Sequence, residues 1–196
     1  DHLVSQKVGL ENHIAGVLKP FGVLVERGNV TANTFYKRTL EGLAEAEKNG
    51  VHVRSYVLPS LNLYMEAVEA IAPLTEKIHA IAHSIEMVKR FMDIPGIGPV
   101  TALSFYAAVD NPQRFQKSSD VAAYFGLTPR QFQSGETNFM GAISRRGDPA
   151  TRRVLVIAAT VLLSGTLEWN SLKAWGVRLA KRIGFSKARI AVARKL

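Results

Sequence analysis

The sequence predicts a mainly α-helical protein in two parts, a helical region able to form a coiled coil over residues 1–92 and a second helical domain over residues 93–196. Three observations predict this. Apolar residues recur at spacings of three, four and seven through the first half of the chain. A glycine-rich turn, Ile94-Pro95-Gly96-Ile97-Gly98-Pro99, stands where one helical pattern stops and another starts. The charge is also divided: residues 1–90 hold ten Lys or Arg and ten Asp or Glu, whereas residues 91–196 hold fifteen against six, so the whole excess of +9 lies in the second half. A neutral half joined to a basic half reads as a scaffold or oligomerisation element followed by a nucleic-acid-binding element.

With 196 residues the chain is long enough for one sizeable domain or two small ones. It holds no run of 18 or more apolar residues and no signal segment at its start, so neither a membrane span nor secretion is indicated. Cysteine is absent, which excludes disulfides and thiolate metal sites and makes a cytoplasmic location the expectation. Of the five histidines, His79 and His83 are four apart on a helical stretch without a third ligand, and they read as surface residues rather than a metal site.

Taken in order, Leu3, Leu10, Ile14, Val17 and Phe21 fall on one helical stripe, and Pro20 with Gly22 ends that helix. Residues 23–33 read as loop or as briefly extended. Thr34 is placed to cap a second helix with Phe35, Leu40, Leu43 and Ala44 on its apolar face, stopped by Asn49-Gly50. Residues 51–58 alternate like a strand without an obvious partner, and a linker fits equally. From Leu61 to Met92 a seven-residue repeat sets Tyr64, Ile71, Ile78, Ile85 and Met92 at one position and Ala67, Leu74, Ile81 and Val88 at the other, the seam of a coiled coil. Pro73 should kink this helix or begin a new one. The seam can pack on the N-terminal helices or on another subunit.

Beyond the glycine turn, residues 101–109 predict a short, nearly all-apolar and therefore buried helix, ended by Asp110-Asn111-Pro112. Ser118 or Ser119 caps the next, through Tyr124 to Gly126. Residues 127–147 have no helical period and contain Pro129, Gly135, Gly141 and Gly147; about 20 irregular residues in so helical a domain read as a functional loop. Asp148-Pro149 then starts a helix over residues 150–163. Arg152 and Arg153 sit in its first turn, where the helix dipole favours anions, a cost easier to understand with a phosphate nearby. An amphipathic segment from Leu167 to Ile183, with Trp169 and Trp175, and a basic helix from Ser186 to Leu196 close the chain.

The glycine turn carries the first chemical reading. Gly96 and Gly98 lack the Cβ atoms that hold a main chain away from a ligand, and Pro99 suits the first turn of the following helix. The amides of Gly96, Ile97 and Gly98 can then face outward at a helix N-terminus and hold an anionic oxygen without a charged side chain. The run resembles the hairpin of a helix-hairpin-helix module, which holds DNA backbone without reading sequence; a tight connection between packed helices is the plainer reading of the same residues.

Five blocks in order then resemble the C-terminal domain of insertion-sequence transposases of the 110/116/902 family. They are Ile94 to Pro99 with Thr101-Ala102; Arg114-Phe115; Tyr124-Phe125-Gly126-Leu127-Thr128-Pro129-Arg130; Ser134-Gly135; and Ile143-Ser144-Arg145-Arg146-Gly147-Asp148 with Arg152. The residues from Asn170 to Lys173 and from Ala191 to Leu196 also resemble the family's closing region. Ser144 and Asp148 stand where Thr and Asn are frequent, and the segment from Gly135 to Gly141 is less basic than usual. The resemblance implies that Ser134 is the hydroxyl that attacks DNA phosphate and forms a transient phosphoserine link, with Arg130, Arg145, Arg146, Arg152 and Arg153 as cations. It further implies a ribonuclease-H-type domain upstream that binds divalent metal (Mg) through carboxylates. That carboxylate set is absent from residues 1–196, so the chain is expected to be an inactive fragment with no cofactor or metal site of its own. An element-encoded structured RNA is a further implied partner beside DNA, and the 61–92 helix an implied homo-oligomer contact.

Three functions stand against one another at this point: a recombinase using Ser134; a non-catalytic DNA-binding module in which Ser134 is merely part of a turn; and a helical assembly domain whose basic face only solubilises it.

Overall fold

In the computed structural model, residues 2–28, 30–165 and 168–196 are described, and contacts divide the chain into units spanning 1–77 and 78–196. The fold is mainly α-helical, as expected. The first unit holds α1 (His2–Leu18), a 3-10 turn at Lys19–Phe21, α2 (Ala32–Lys48) and the larger part of α3 (Arg54–Ser84). Gly22, at φ 78°, ends the first element as its sequence suggested. The cap of α2 is Thr31 rather than Thr34: the Thr31 hydroxyl accepts from Thr34 N at 3.2 Å and its Oγ1 lies 2.8 Å from that of Thr34, so both threonines serve one cap. The core joins Ile14, Leu18, Phe35, Leu43, Leu61 and Tyr64, with the Phe35 and Tyr64 ring centroids 4.9 Å apart. Each of the aliphatic and phenylalanine side chains contributes roughly 1.5–3 kcal/mol on burial.

Neither a strand nor a long linker precedes α3, which starts at Arg54 behind a two-pronged contact of its guanidinium with Glu47, at 2.8 and 2.9 Å. Pro73 does not begin a new helix; α3 runs through both Pro59 and Pro73. Glu69, whose carbonyl loses its donor at Pro73, is exposed, so water can satisfy it. The heptad seam is not one continuous helix either. Ile85 is extended at φ −104°, ψ 114°, and a second helix, α4 (Glu86–Met92), restarts behind it. The break lets Ala82 and Val88 share a small core with Ala102. Between these ends, Leu74 and Ile81 remain about half exposed, at 49% and 48%.

The second unit continues with α5 (Pro99–Val109), a 3-10 turn at Pro112–Arg114, α6 (Ser118–Tyr124), strands β1 (Pro129–Ser134) and β2 (Thr137–Ile143), α7 (Pro149–Ser164), α8 (Ser171–Ile183) and α9 (Phe185–Lys195). Helix α5 is less buried than its composition suggested: Thr101 and Ala102 are inside, whereas Val100 and Tyr106 are exposed. The organising element is α7, whose Leu155, Ala158, Ala159 and Leu162 are buried against α5, α8 and α9. Gly176 makes room for side chains of α7 and α9 against α8, since a Cβ there would meet Leu163 Cδ2 at 2.5 Å and Val192 Cγ2 at 2.7 Å. Helix α8 starts after Asn170, whose side chain accepts from Lys173 N at 2.8 Å; Leu167, read as part of this helix, lies outside the described residues. Among the described residues no helix is long and apolar enough to cross a membrane.

Asp148 caps α7 as its sequence required, accepting from Ala150 N at 3.0 Å and Thr151 N at 2.8 Å. The Thr151 hydroxyl, with those two amides, holds the carboxyl below the usual aspartate range. A depressed folded pKa gives stability that is present above the unfolded value, ~3.9, and lost as pH falls through the folded one. Asp148→Ala is therefore expected to cost about 1 kcal/mol near neutral pH, a melting shift of roughly 2–4 °C. The gap between variant and parent should close on acidification below pH ~4 in thermal melts; a gap independent of pH would show that the carboxylate charge plays no part.

Candidate nucleic-acid interface

Residues 127–147 are not an irregular loop. Strands β1 and β2 form an antiparallel hairpin in which Ser134 faces Thr137, Phe132 faces Phe139 and Gln131 faces Met140. Gly135, at φ 53°, takes the first central position of a two-residue turn, the place that a II′ hairpin reserves for glycine. A register shift follows, because Pro129 pairs with Ile143: β2 carries one extra residue around Gly141 and Ala142, a bulge. Alternation along the ladder puts Arg130, Phe132 and Ser134 on one face with Phe139. Gln131, Gln133 and Asn138 lie on the other, their side-chain amides 3.3 and 3.5 Å apart.

The base of the hairpin is held by backbone. Ser144 N donates to Thr128 O at 2.8 Å and Arg145 N to Gly126 O at 3.1 Å. Two glycines make this approach possible. A Cβ on Gly126, at φ 66°, would lie 2.3 Å from Arg146 O, and one on Gly147, at φ 74°, only 1.9 Å from Tyr124 O. Arg145 itself adopts φ 57°, at a cost of roughly 1–2 kcal/mol for a residue with a Cβ. The aromatic residues of the separated sequence blocks also meet: the Arg114 guanidinium lies 4.4 Å from the Tyr124 ring centroid and 4.8 Å from that of Phe115.

The structure brings together Arg145, Arg146 and Arg152, but not as three equivalent cations. Arg152 Nη1 donates to Phe125 O at 3.0 Å and to Arg146 O at 2.9 Å, so this side chain braces the two segments beneath the hairpin. Arg145 and Arg146 are exposed at its surface. Arg153 is exposed one position farther along α7. Ser134 is exposed beside the turn, at the opposite end of β1 from Arg130. Four strand residues span roughly 13 Å, so the arginines at the hairpin base stand well away from the Ser134 hydroxyl.

The glycine turn departs from its sequence reading in one respect. Ile97 N donates to Ile94 O at 3.0 Å, closing the turn on itself, so this amide is not an outward donor. Gly96, at φ 92°, faces the protein: a Cβ would meet Ala158 O at 3.0 Å and Leu162 Cβ at 3.4 Å, and its missing side chain lets the turn sit on α7. Gly98 is exposed with nothing near its Cβ position, and it caps α5 without a side-chain hydrogen bond.

Sequence reasoning missed Phe132 and Phe139, which are exposed and stacked across the ladder, and a neighbouring cavity of about 990 Å³. Phe105, Phe125 and Trp175 line the cavity, and its charged lining residues, Arg145, Lys187, Arg194 and Lys195, are all basic. The Gly135 turn between alternating residues was the available signal for the hairpin; the cavity has no local sequence signature. Among the described residues there is no group of three or more His, Asp or Glu placed to hold a metal ion.

The model of the IS116/IS110/IS902 transposase family matches residues 88–173. The chain is 34% identical, over its whole length, to 53% of the transposase for insertion sequence element IS1111A of Coxiella burnetii. It is 29% identical over its whole length to half of the putative transposase y4pF/y4sB of Sinorhizobium fredii. Some 87% of it is 31% identical to 49% of the transposase for insertion sequence element IS1328 of Yersinia enterocolitica. The chain thus spans about half the length of the curated relatives it matches.

Proposed function

From the premise that this chain belongs to the IS116/IS110/IS902 transposase family, we propose that it is the part of a DNA transposase that grips a nucleic-acid backbone and presents Ser134 as the nucleophile. The observation that carries this reading is the placement of Ser134: an exposed hydroxyl at the tip of a hairpin, on the face that also holds Arg130. A buried or helix-packed serine could not reach phosphorus. In the proposed step the Ser134 Oγ–P bond forms as the P–O bond to the leaving strand breaks; the hydroxyl proton goes to a base, and the leaving oxygen takes up a proton.

An unactivated serine needs that base, and cations to hold charge on the phosphoryl oxygens. This chain's residues supply the grip: Arg130 on the hairpin face, Arg145 and Arg146 at its base, Arg153 on α7, and the exposed Gly98 end of the glycine turn. Arg152 acts through Arg146 as a positioning residue. Divalent metal would be held by carboxylates in the half of the relatives that this chain does not span. The bare Leu74 and Ile81 support self-association through the 61–92 segment, and the basic second half suits an RNA as well as DNA. Without the remaining half, the chain is expected to bind without turnover.

Two measurements test this. In the full-length protein incubated with element-end DNA, mass spectrometry of the digest should find the nucleotide adduct on Ser134; an adduct on another residue would overturn the assignment. For the chain itself, binding to duplex DNA should weaken steeply with salt, and Arg145→Gln and Arg146→Gln should each flatten the log–log slope by about 0.9. A slope indifferent to both would leave the purely structural, helical-assembly reading.

A further inference from the structure

The Phe132 and Phe139 rings lie nearly parallel, 12° apart with centroids at 4.8 Å, and are 45% and 55% exposed. Two large apolar rings standing half in water are costly to keep on a six- and a seven-residue strand that pack chiefly against each other. Their arrangement is built rather than incidental. Phe132 and Phe139 are directly paired across the ladder, and Gly141 leaves the space that Phe132 occupies: a Cβ there would meet Phe132 Cε2 at 3.0 Å. A glycine diagonal to an aromatic ring on a bulged strand lets that ring lie down over the ladder. Flat, parallel, exposed rings match the planar face of a nucleobase, and stacking is indifferent to which base is offered.

We propose that the Phe132–Phe139 pair is a stacking platform for an unpaired nucleobase of the strand whose phosphate meets Ser134. The inference rests on the nucleic-acid reading above and adds to it the state of the substrate at the hairpin: the base next to the reacting phosphate is out of its duplex. Phe132 and Ser134 are two residues apart on the same face, a separation of roughly 7 Å, about one extended nucleotide. Arg130, two residues to the other side on that face, is placed for the next phosphate. A paired base is already stacked on both sides and has no free face to give. An aliphatic protein surface would have no use for two rings held parallel, and the excess of positive charge in this half of the chain favours a polyanion over a neutral apolar partner.

The test uses the full 196-residue chain with a fluorescein-labelled 12-nucleotide oligo(dT) and with a duplex of equal length, read by anisotropy. Phe139→Ala and Phe132→Ala are each expected to weaken oligo(dT) binding about tenfold and to leave duplex binding within about twofold. Phe139→Leu keeps apolar area and strand preference without a π-face, and should lose as much as Phe139→Ala. Phe139→Trp should keep binding, and the indole emission that it adds to the parent's should be quenched when unlabelled oligo(dT) is added. Leucine binding as well as phenylalanine, equal losses on the duplex, or added indole emission that oligo(dT) leaves unquenched would each overturn the platform. So would loss of self-association, rather than of oligo(dT) binding, on sedimentation of Phe139→Ala, since the rings would then serve a second copy. A parent chain that binds neither oligonucleotide sinks the nucleic-acid reading itself.

Discussion

Ser134→Ala in the full-length protein should lower strand exchange by about 10⁴-fold or more, the scale on which removal of a covalent nucleophile is felt, while nucleic-acid affinity changes by no more than roughly twofold. The split follows from geometry. The hydroxyl is exposed, and its loss leaves no cavity and no buried donor unpaired. The turn beside it is set by Gly135 rather than by the serine, so the hairpin should persist. The measurement is recombination of two marked DNAs alongside retention of labelled DNA. Exchange that survives the substitution would remove Ser134 from the chemistry and leave the binding-module alternative. A joint loss of exchange and retention would assign the serine to the grip.

Gly147→Ala should be the most damaging single methyl group in the described residues. The position has φ 74°, and the new Cβ would stand 1.9 Å from Tyr124 O and 3.0 Å from Tyr124 C. The obstacle is backbone, which cannot rotate aside as a side chain can. Left-handed strain of roughly 1–2 kcal/mol adds to the cost of prising apart the segments that hold the hairpin base. The expected loss exceeds about 4 kcal/mol, a large part of the 5–15 kcal/mol of a typical domain. Urea denaturation of the chain should show it. The contrast is Gly16→Ala in α1: that position is helical, exposed and open within 4 Å, so the change should stabilise by a few tenths to about 1 kcal/mol. Comparable effects at the two sites would mean that the Tyr124–Gly147 approach does not bear on stability.

What could be read before the fold was known follows from the range of the forces involved. Asp148-Pro149 and the Gly22 stop act within one turn of the chain, and both are found where the aspartate cap and the glycine's left-handed backbone put them. Boundaries decided by competition were less legible, as where Thr31 takes the cap while Thr34 assists it. The hairpin escaped because an exposed two-stranded ladder has no inside: Phe132, Phe139 and Met140 are all at the surface, so the alternation that betrays a half-buried strand carries no apolar contrast. Its base depends on Gly126 meeting Arg146, twenty residues away, a contact that no local spacing encodes. The same holds for Arg152. Its place in a first helical turn suggested a phosphate ligand, whereas two carbonyls of its own chain accept its Nη1.

Gly96 leaning on α7 has a further consequence. The connection between α4 and α5 is seated on the helix that Asp148 starts, and that aspartate is also the first residue beyond the strip that carries the hairpin. A push on either end is therefore borne by the same rod. On the proposed reading, a nucleic acid held near Gly98 and one held at the hairpin base would load the same helix.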